Sequence, residues 1–225
     1  MQKFDTPTPV TAVLDVPAGR IHLIAADRTD TAVEVRPADA TKNRDVKAAQ
    51  QTEITYTDGT LHITAPKATN QLLGAPGAIE ITVQLPTGSH IQATAASAEL
   101  RGVGRLGDVT FDSACGSAKL DETTAARLTL QSGDLTVGRL NGPAQLSTHK
   151  GDLRITEATC GTLTLRTDSG DIHIGATRGA CATLDAGTTH GRIHNALTNT
   201  GTNGTDADLT IHATTSHGDI TARSL

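Results

Sequence analysis

Apolar and polar residues alternate with a period of two through most of this 225-residue chain, and glycine-centred corners break the alternation at regular intervals. The clearest stretch runs from Leu163 to Gly175. Leu163 and Leu165 alternate with polar neighbours, Ser169-Gly170-Asp171 makes a corner, and Ile172 and Ile174 alternate again. Such a pattern predicts strand, sharp turn, strand. Leu128 to Gly138 repeats it with Ser132-Gly133-Asp134 at the corner, and Gly151-Asp152-Leu153, Gly191-Arg192-Ile193 and Gly218-Asp219-Ile220 are shorter versions. The corner glycines at 133, 151, 170, 191 and 218 are 18, 19, 21 and 27 residues apart. A unit of about 20 residues cannot bury its own apolar face, so the spacing predicts stacked rungs that share one core.

Ahead of the repeats the strands are longer and less regular. Val10–Val16, Arg20–Ala26 and Ala32–Arg36 read as consecutive antiparallel strands, with a turn at Pro17-Ala18-Gly19 between the first two. Residues 37–51 form a loop or one short helix. Glu53–Tyr56 and Leu61–Ala65 flank Asp58-Gly59, a pair that predicts a hairpin. Ile79–Leu85 is a further strand, turned by Pro86-Thr87-Gly88. The expected organisation is one continuous all-β domain: an antiparallel strand region over residues 1–95 that caps a β-solenoid over residues 96–225. Ser97–Leu100 and Gly116–Leu120 occupy the corner slot without its aspartate and read as degenerate first rungs. A polar loop at 195–208 leaves the stack between two rungs. Within it Asn199, Asn203 and Asp206 are candidate contacts for a partner, because solenoid insertions map to loops on one side.

Composition narrows the core. Apolar residues are 36%, aromatics 1% and Trp is absent, so Leu, Ile, Val, Ala and Thr must fill the interior. Narrow rungs of small and β-branched side chains suit that inventory. The formal net charge of −5 and the scattered lysines and arginines argue against nucleic-acid binding. No run approaches a membrane-spanning helix. The first residues lack the apolar stretch of a signal peptide, so the expected location is the cytoplasm, with envelope association by another route as the alternative. Cys115, Cys160 and Cys181 are odd in number and irregularly spaced; reduced, buried or half-buried thiols are expected.

The ordered set of segments resembles the DUF4097 family, the β-strand-repeat "putative adhesin" proteins, and specifically its actinobacterial branch. The carrying residues are Phe4-Asp5-Thr6-Pro7, Asp30–Pro37, Tyr56–Gly59 through Ala65-Pro66-Lys67, Ile81–Gly88, and the serial Gly-Asp-Leu/Ile corners ending at Ser216–Ile220. The resemblance implies a right-handed β-helix or β-roll with an N-terminal strand region. It implies no established activity and carries over no catalytic residue. Two departures are the absence of aspartate at Ser117 and at Arg192.

The candidate chemistry lies on the corners and the outer faces. Asp134, Asp152, Asp171 and Asp219 should form a ladder along one edge, where like charges need compensation. The favoured reading is that each caps backbone N–H groups of its own turn; a Ca²⁺-binding edge is the alternative. His173 and His194 each follow the first inward residue after a corner, which predicts neighbouring imidazoles in consecutive rungs and a weak Zn²⁺ site. No nucleophile elbow, zinc-protease, P-loop or C-x-x-C motif is present, and with one Tyr a sugar-stacking platform is hard to build. The chain therefore reads as a non-catalytic scaffold or protein-interaction module without a cofactor. Its partner is a protein or a second copy, held through the solenoid end near residues 219–225. A surface-associated, adhesin-like protein is the alternative, and a carbohydrate-active β-helix enzyme the third reading.

Overall fold

The computed structural model describes residues 1–66, 77–198 and 208–225, and these are all-β except for a single helix among the described residues. The chain divides into two compact units, Met1–Gly116 and Ser117–Leu225. The division falls later than residue 95, where the repeat pattern begins, because residues 97–103 pair with a strand of the first unit.

In the first unit, β1 (Gln2–Asp5), β2 (Thr11–Ala26) and β3 (Asp30–Pro37) are followed by α1 (Asn43–Gln50), β4 (Glu53–Thr57), β5 (Thr60–Thr64) and β6 (Ile79–Pro86). Of β7 (His90–Ser132), the residues up to Gly116 belong here. The three early strands are not an antiparallel meander. Thr11–Val16 and Arg20–Ala26 are the two arms of β2, with Gly19 at φ +134° between them, and each arm lies in its own parallel ladder. Thr11–Asp15 sits between β5 and β7, and Gly19–Ile24 between β6 and β7. The period-two pattern was right for both arms, but alternation specifies a face and not a partner. The outermost strands are antiparallel: β4 on β5, β3 on β6, and β1 on β3. Asp58 and Gly59 both have positive φ, 50° and 76°, as a two-residue type I′ hairpin requires. Helix α1 packs on β3 and β6. Its buried Asp45 accepts the backbone N–H of Ala78 at 3.0 Å. Phe4 and Tyr56 bring β1 and β4 together, ring centroids 5.4 Å apart.

The second unit continues with β8 (Leu135–Leu140), β9 (Ala144–Lys150), β10 (Leu153–Ala158), β11 (Gly161–Ser169) and β12 (Ile172–Ala176). It ends with β13 (Ala182–His190), β14 (Ile193–Ala196), β15 (Leu209–His217) and β16 (Ile220–Ser224). Every described pairing in this unit is parallel, and the corners stay aligned, with one register shift between Ile155 and Ala158 where β10 meets β12. One ladder runs β7–β8–β10–β12–β16–β14 and the other β7–β9–β11–β15–β13, so each rung places one strand in each ladder. Inward positions stack like on like. Leu135, Leu153, Ile172 and Ile220 form one buried column, and Leu128, Leu146, Leu165 and Ala213 another.

Rung order departs from chain order at the end. The last repeat, β15–β16, lies between β11–β12 and β13–β14, so the outermost rung is residues 182–196 and not the C-terminal one. The inward residues explain this. Leu209, Ile211, Ala213, Thr215, Ile220 and Ala222 align with Ala182, Leu184, Ala186, Thr188, Ile193 and Asn195. Placing the first set inside buries a Leu in place of Ala182 and spares burying the Asn195 amide.

Candidate functional site

The corners are built from three residues that the stacking brings into line. Gly170 and Gly218 have φ of +152° and +150°, and a Cβ on either would collide with the glycine carbonyl of the rung before it. One residue later, the aspartates stack one strand spacing apart, about 4.8 Å. Asp134 Oδ1 accepts the backbone N–H of Asp152 at 2.9 Å, Asp152 Oδ1 that of Asp171 at 2.8 Å, and Asp171 Oδ1 that of Asp219 at 2.7 Å. Each carboxylate thus caps the next rung, where capping within its own turn was expected. In-register parallel stacking puts the neighbour's N–H directly over the carboxylate, and this donor offsets the repulsion along the column.

Arg192 ends the ladder. Its N–H donates to Asp219 Oδ1 at 2.8 Å, and its guanidinium reaches Oδ2 at 2.7 Å. The guanidinium and then that N–H hold the Asp219 carboxyl below its ordinary value, and the arginine's own pKa is raised in return. The missing aspartate at 192 is therefore the terminus of the column. A rung with Arg at this slot can receive the ladder but has no carboxylate to pass it on.

A second set of residues escaped the sequence reading. Thr148, Thr167, Thr215 and Thr188 each stand three residues before a corner glycine and point inward. Their hydroxyls donate to the corner carbonyls of the rung before: Thr167 to Gly151 at 3.0 Å, Thr215 to Gly170 at 3.1 Å, Thr188 to Gly218 at 3.1 Å. Thr148 reaches Gly133 at 3.3 Å. The signal was legible as a recurring T-x-x-G, which alternation alone assigns to an apolar slot.

The outermost rung differs in exposure. Leu184 and Ala186 are half-buried, and Ile193 is 46% exposed, where Ile211, Ala213 and Ile220 in the adjacent rung are fully buried. Among the described residues, β13 pairs only with β15 and β14 only with β16. Neither strand has a second strand partner among the described residues.

The histidines are arranged differently from expectation. His173 and His194 share a face, but Thr221 lies between them, so they are two strand spacings, about 9.6 Å, apart along the ladder. The stacked imidazoles are His190 and His217, parallel to within 5° with centroids 4.8 Å apart. No group of three or more His, Cys, Asp or Glu among the described residues is arranged to hold a metal ion. Cys115 and Cys160 are exposed and Cys181 half-buried, all free; the first two sit outside the core, contrary to expectation, because both fall on outward positions. Asn199, Asn203 and Asp206 lie outside the described residues. No helix among the described residues is long and apolar enough to cross a membrane.

Comparison with known proteins adds a family. The model described as Toastrack DUF4097 matches residues 11–223. A solved structure described as a "putative adhesin" from Bacteroides fragilis is 13% identical, covers 98% of this chain and 95% of its own, and superposes with a TM-score of 0.50. A "putative adhesin" from Parabacteroides distasonis is 11% identical over 98% of this chain and 95% of its own, with a TM-score of 0.47. A "putative cell adhesion protein" from Clostridium sporogenes is 12% identical over 100% and 98%, with a TM-score of 0.40. No curated protein matches the chain.

Proposed function

This chain belongs to the Toastrack DUF4097 family, and from that premise we propose that it is a non-catalytic β scaffold that binds a protein partner, or a second copy of itself, through the open rung formed by β13 and β14. The observation that carries this reading is that, among the described strands, β13 and β14 are paired on one side, with Leu184, Ala186 and Ile193 incompletely covered. An unpaired strand edge is a template for another strand, and edge addition supplies affinity through main-chain hydrogen bonds and specificity through alternate side chains. The coil is read as right-handed, as parallel crossovers within one sheet overwhelmingly are.

Multi-angle light scattering over a concentration series tests the edge. The expected result is a concentration-dependent dimer, or capture of a partner by the monomer, either of which Ile193→Lys abolishes while the folded signal persists. A monomer that binds the same partner equally well with Lys at 193 would remove the edge from consideration. The description of the Bacteroides fragilis structure as a "putative adhesin" suggests a second reading, an envelope-associated binding protein, and cell fractionation separates the two: recovery with the envelope supports it.

A further inference from the structure

The outer face of the β10–β12–β16 ladder carries a cluster that the edge reading does not use. Arg154, His173 and Thr221 stand in one row across the three strands, because register pairs Arg154 with His173 and His173 with Thr221. In the next outward row, Gly175 pairs with Arg223. Arg154, Thr156, His173, Gly175, Thr221 and Arg223 surround a cleft of about 210 Å³, and no carboxylate lines it.

Three observations mark this cleft. First, two guanidinium groups flank it with no carboxylate in its lining, and neither Arg154 nor Arg223 makes an ion pair with a described residue. In a chain of net charge −5 the pair makes a local positive site. Second, their positions are diagonal. Two strand spacings and one two-residue step place their Cα atoms about 12 Å apart, so the side chains can close on the centre from opposite sides. Third, the wall at Gly175 is fixed by close packing. Gly175 is buried in the middle strand, and a Cβ there would meet the Thr156 carbonyl oxygen at 2.1 Å and Leu225 Cδ2 at 3.3 Å. Only glycine permits that approach. The walls supply His173 as a ring N–H donor and Thr156 and Thr221 as hydroxyl donors.

We propose that this cleft binds the phosphate group of a phosphate-bearing ligand. Two guanidinium forks offer the paired, planar donors that match phosphate oxygens. The volume equals several waters at about 30 Å³ each, enough for one phosphate and the first atoms of its carrier. A polymeric nucleic acid would need a longer basic track than two arginines provide.

The test uses ¹⁵N-labelled full-length protein titrated with inorganic phosphate at constant pH and ionic strength. A parallel arm measures flotation with vesicles of phosphatidylglycerol or of phosphatidylcholine. Saturable amide shifts centred on His173, Gly175 and Arg223 are expected, and R154Q/R223Q should weaken binding by about tenfold or more. The unperturbed remainder of the variant's spectrum reports that it is folded. Arg-dependent shifts with phosphate support a site for the free anion, and flotation only with phosphatidylglycerol, lost in the same variant, supports a lipid headgroup as the source. Absence of binding in both arms, or binding that the double variant leaves intact, would overturn the proposal.

Discussion

The last two repeats of the chain have nearly the same pattern and opposite fates. Residues 209–224 lie inside the stack, paired on both sides, and residues 182–196 lie at its edge, paired on one. The interior repeat has Ile220 and Ala222 where the edge repeat has Ile193 and Asn195, and Asp219 where the edge has Arg192. Position in the stack thus follows two substitutions: the Ala222 methyl and the Asp219 carboxylate lie inside, and the Asn195 amide and the Arg192 guanidinium at the edge. The first unit finishes differently, with antiparallel β4, β3 and β1, a helix against β3 and β6, and the Phe4–Tyr56 contact. Antiparallel strands thus flank the parallel ladders of the first unit, and the second unit has none among its described strands.

The sharpest way to test the interior-against-edge difference is at glycine. Gly218→Ala forces a Cβ into the Gly170 carbonyl at φ +150°, and is expected to cost about 3 kcal/mol in urea unfolding. Gly187→Ala on β13 has nothing within 4 Å of its new Cβ and should change stability by less than about 0.5 kcal/mol. Equal losses at the two sites would mean that the edge rung is packed as tightly as the interior one. Isoleucine gives the next contrast. Ile220 is fully buried and Ile193 is 46% exposed, so truncation to Ala should cost about 2–3 kcal/mol at 220 and under about 1 kcal/mol at 193.

Strands, corners and the Asp58-Gly59 hairpin were legible in the sequence because each is written in local residues. Rung order was not, since 182–196 and 209–224 satisfy the same alternation. What distinguishes them, Asn195 and Arg192, is visible as a pair of departures, but its meaning requires knowing that each corner carboxylate serves the next rung. The same gap explains the histidines: the spacing placed His173 and His194 on one face correctly, and the inserted rung put Thr221 between them. The two arms of β2 were found as strands, while their partners lie up to about eighty residues away and leave no local mark.

The corner ladder predicts a smaller effect. Asp171→Ala removes the acceptor for the Asp219 N–H and should cost about 1–2 kcal/mol. Asp171→Asn keeps an Oδ1 acceptor and should recover more than half of that loss. If Asn were as damaging as Ala, the negative charge itself, and not the hydrogen bond, would be the stabilising element.

The smallest effect separates the edge corner from the interior ones through pH. Asp219 carries the Arg192 guanidinium as well as a backbone donor, and its carboxyl is held below the ordinary value of 3.8. A carboxyl with a lowered folded-state pKa binds fewer protons folded than unfolded, so its stabilisation is fully present above 3.8. That stabilisation is lost as pH falls through the folded value. The Arg192 side chain is 88% exposed, so solvent screens the pair and the effect at neutral pH is slight. Arg192→Ala keeps the backbone N–H and removes the guanidinium. Urea midpoints measured from pH 2 to pH 5 should therefore draw together toward the acid end, as Asp219 takes up its proton, and separate above it with the parent more stable. A constant offset across the whole range would instead assign the contribution of Arg192 to packing of its aliphatic stem along the edge.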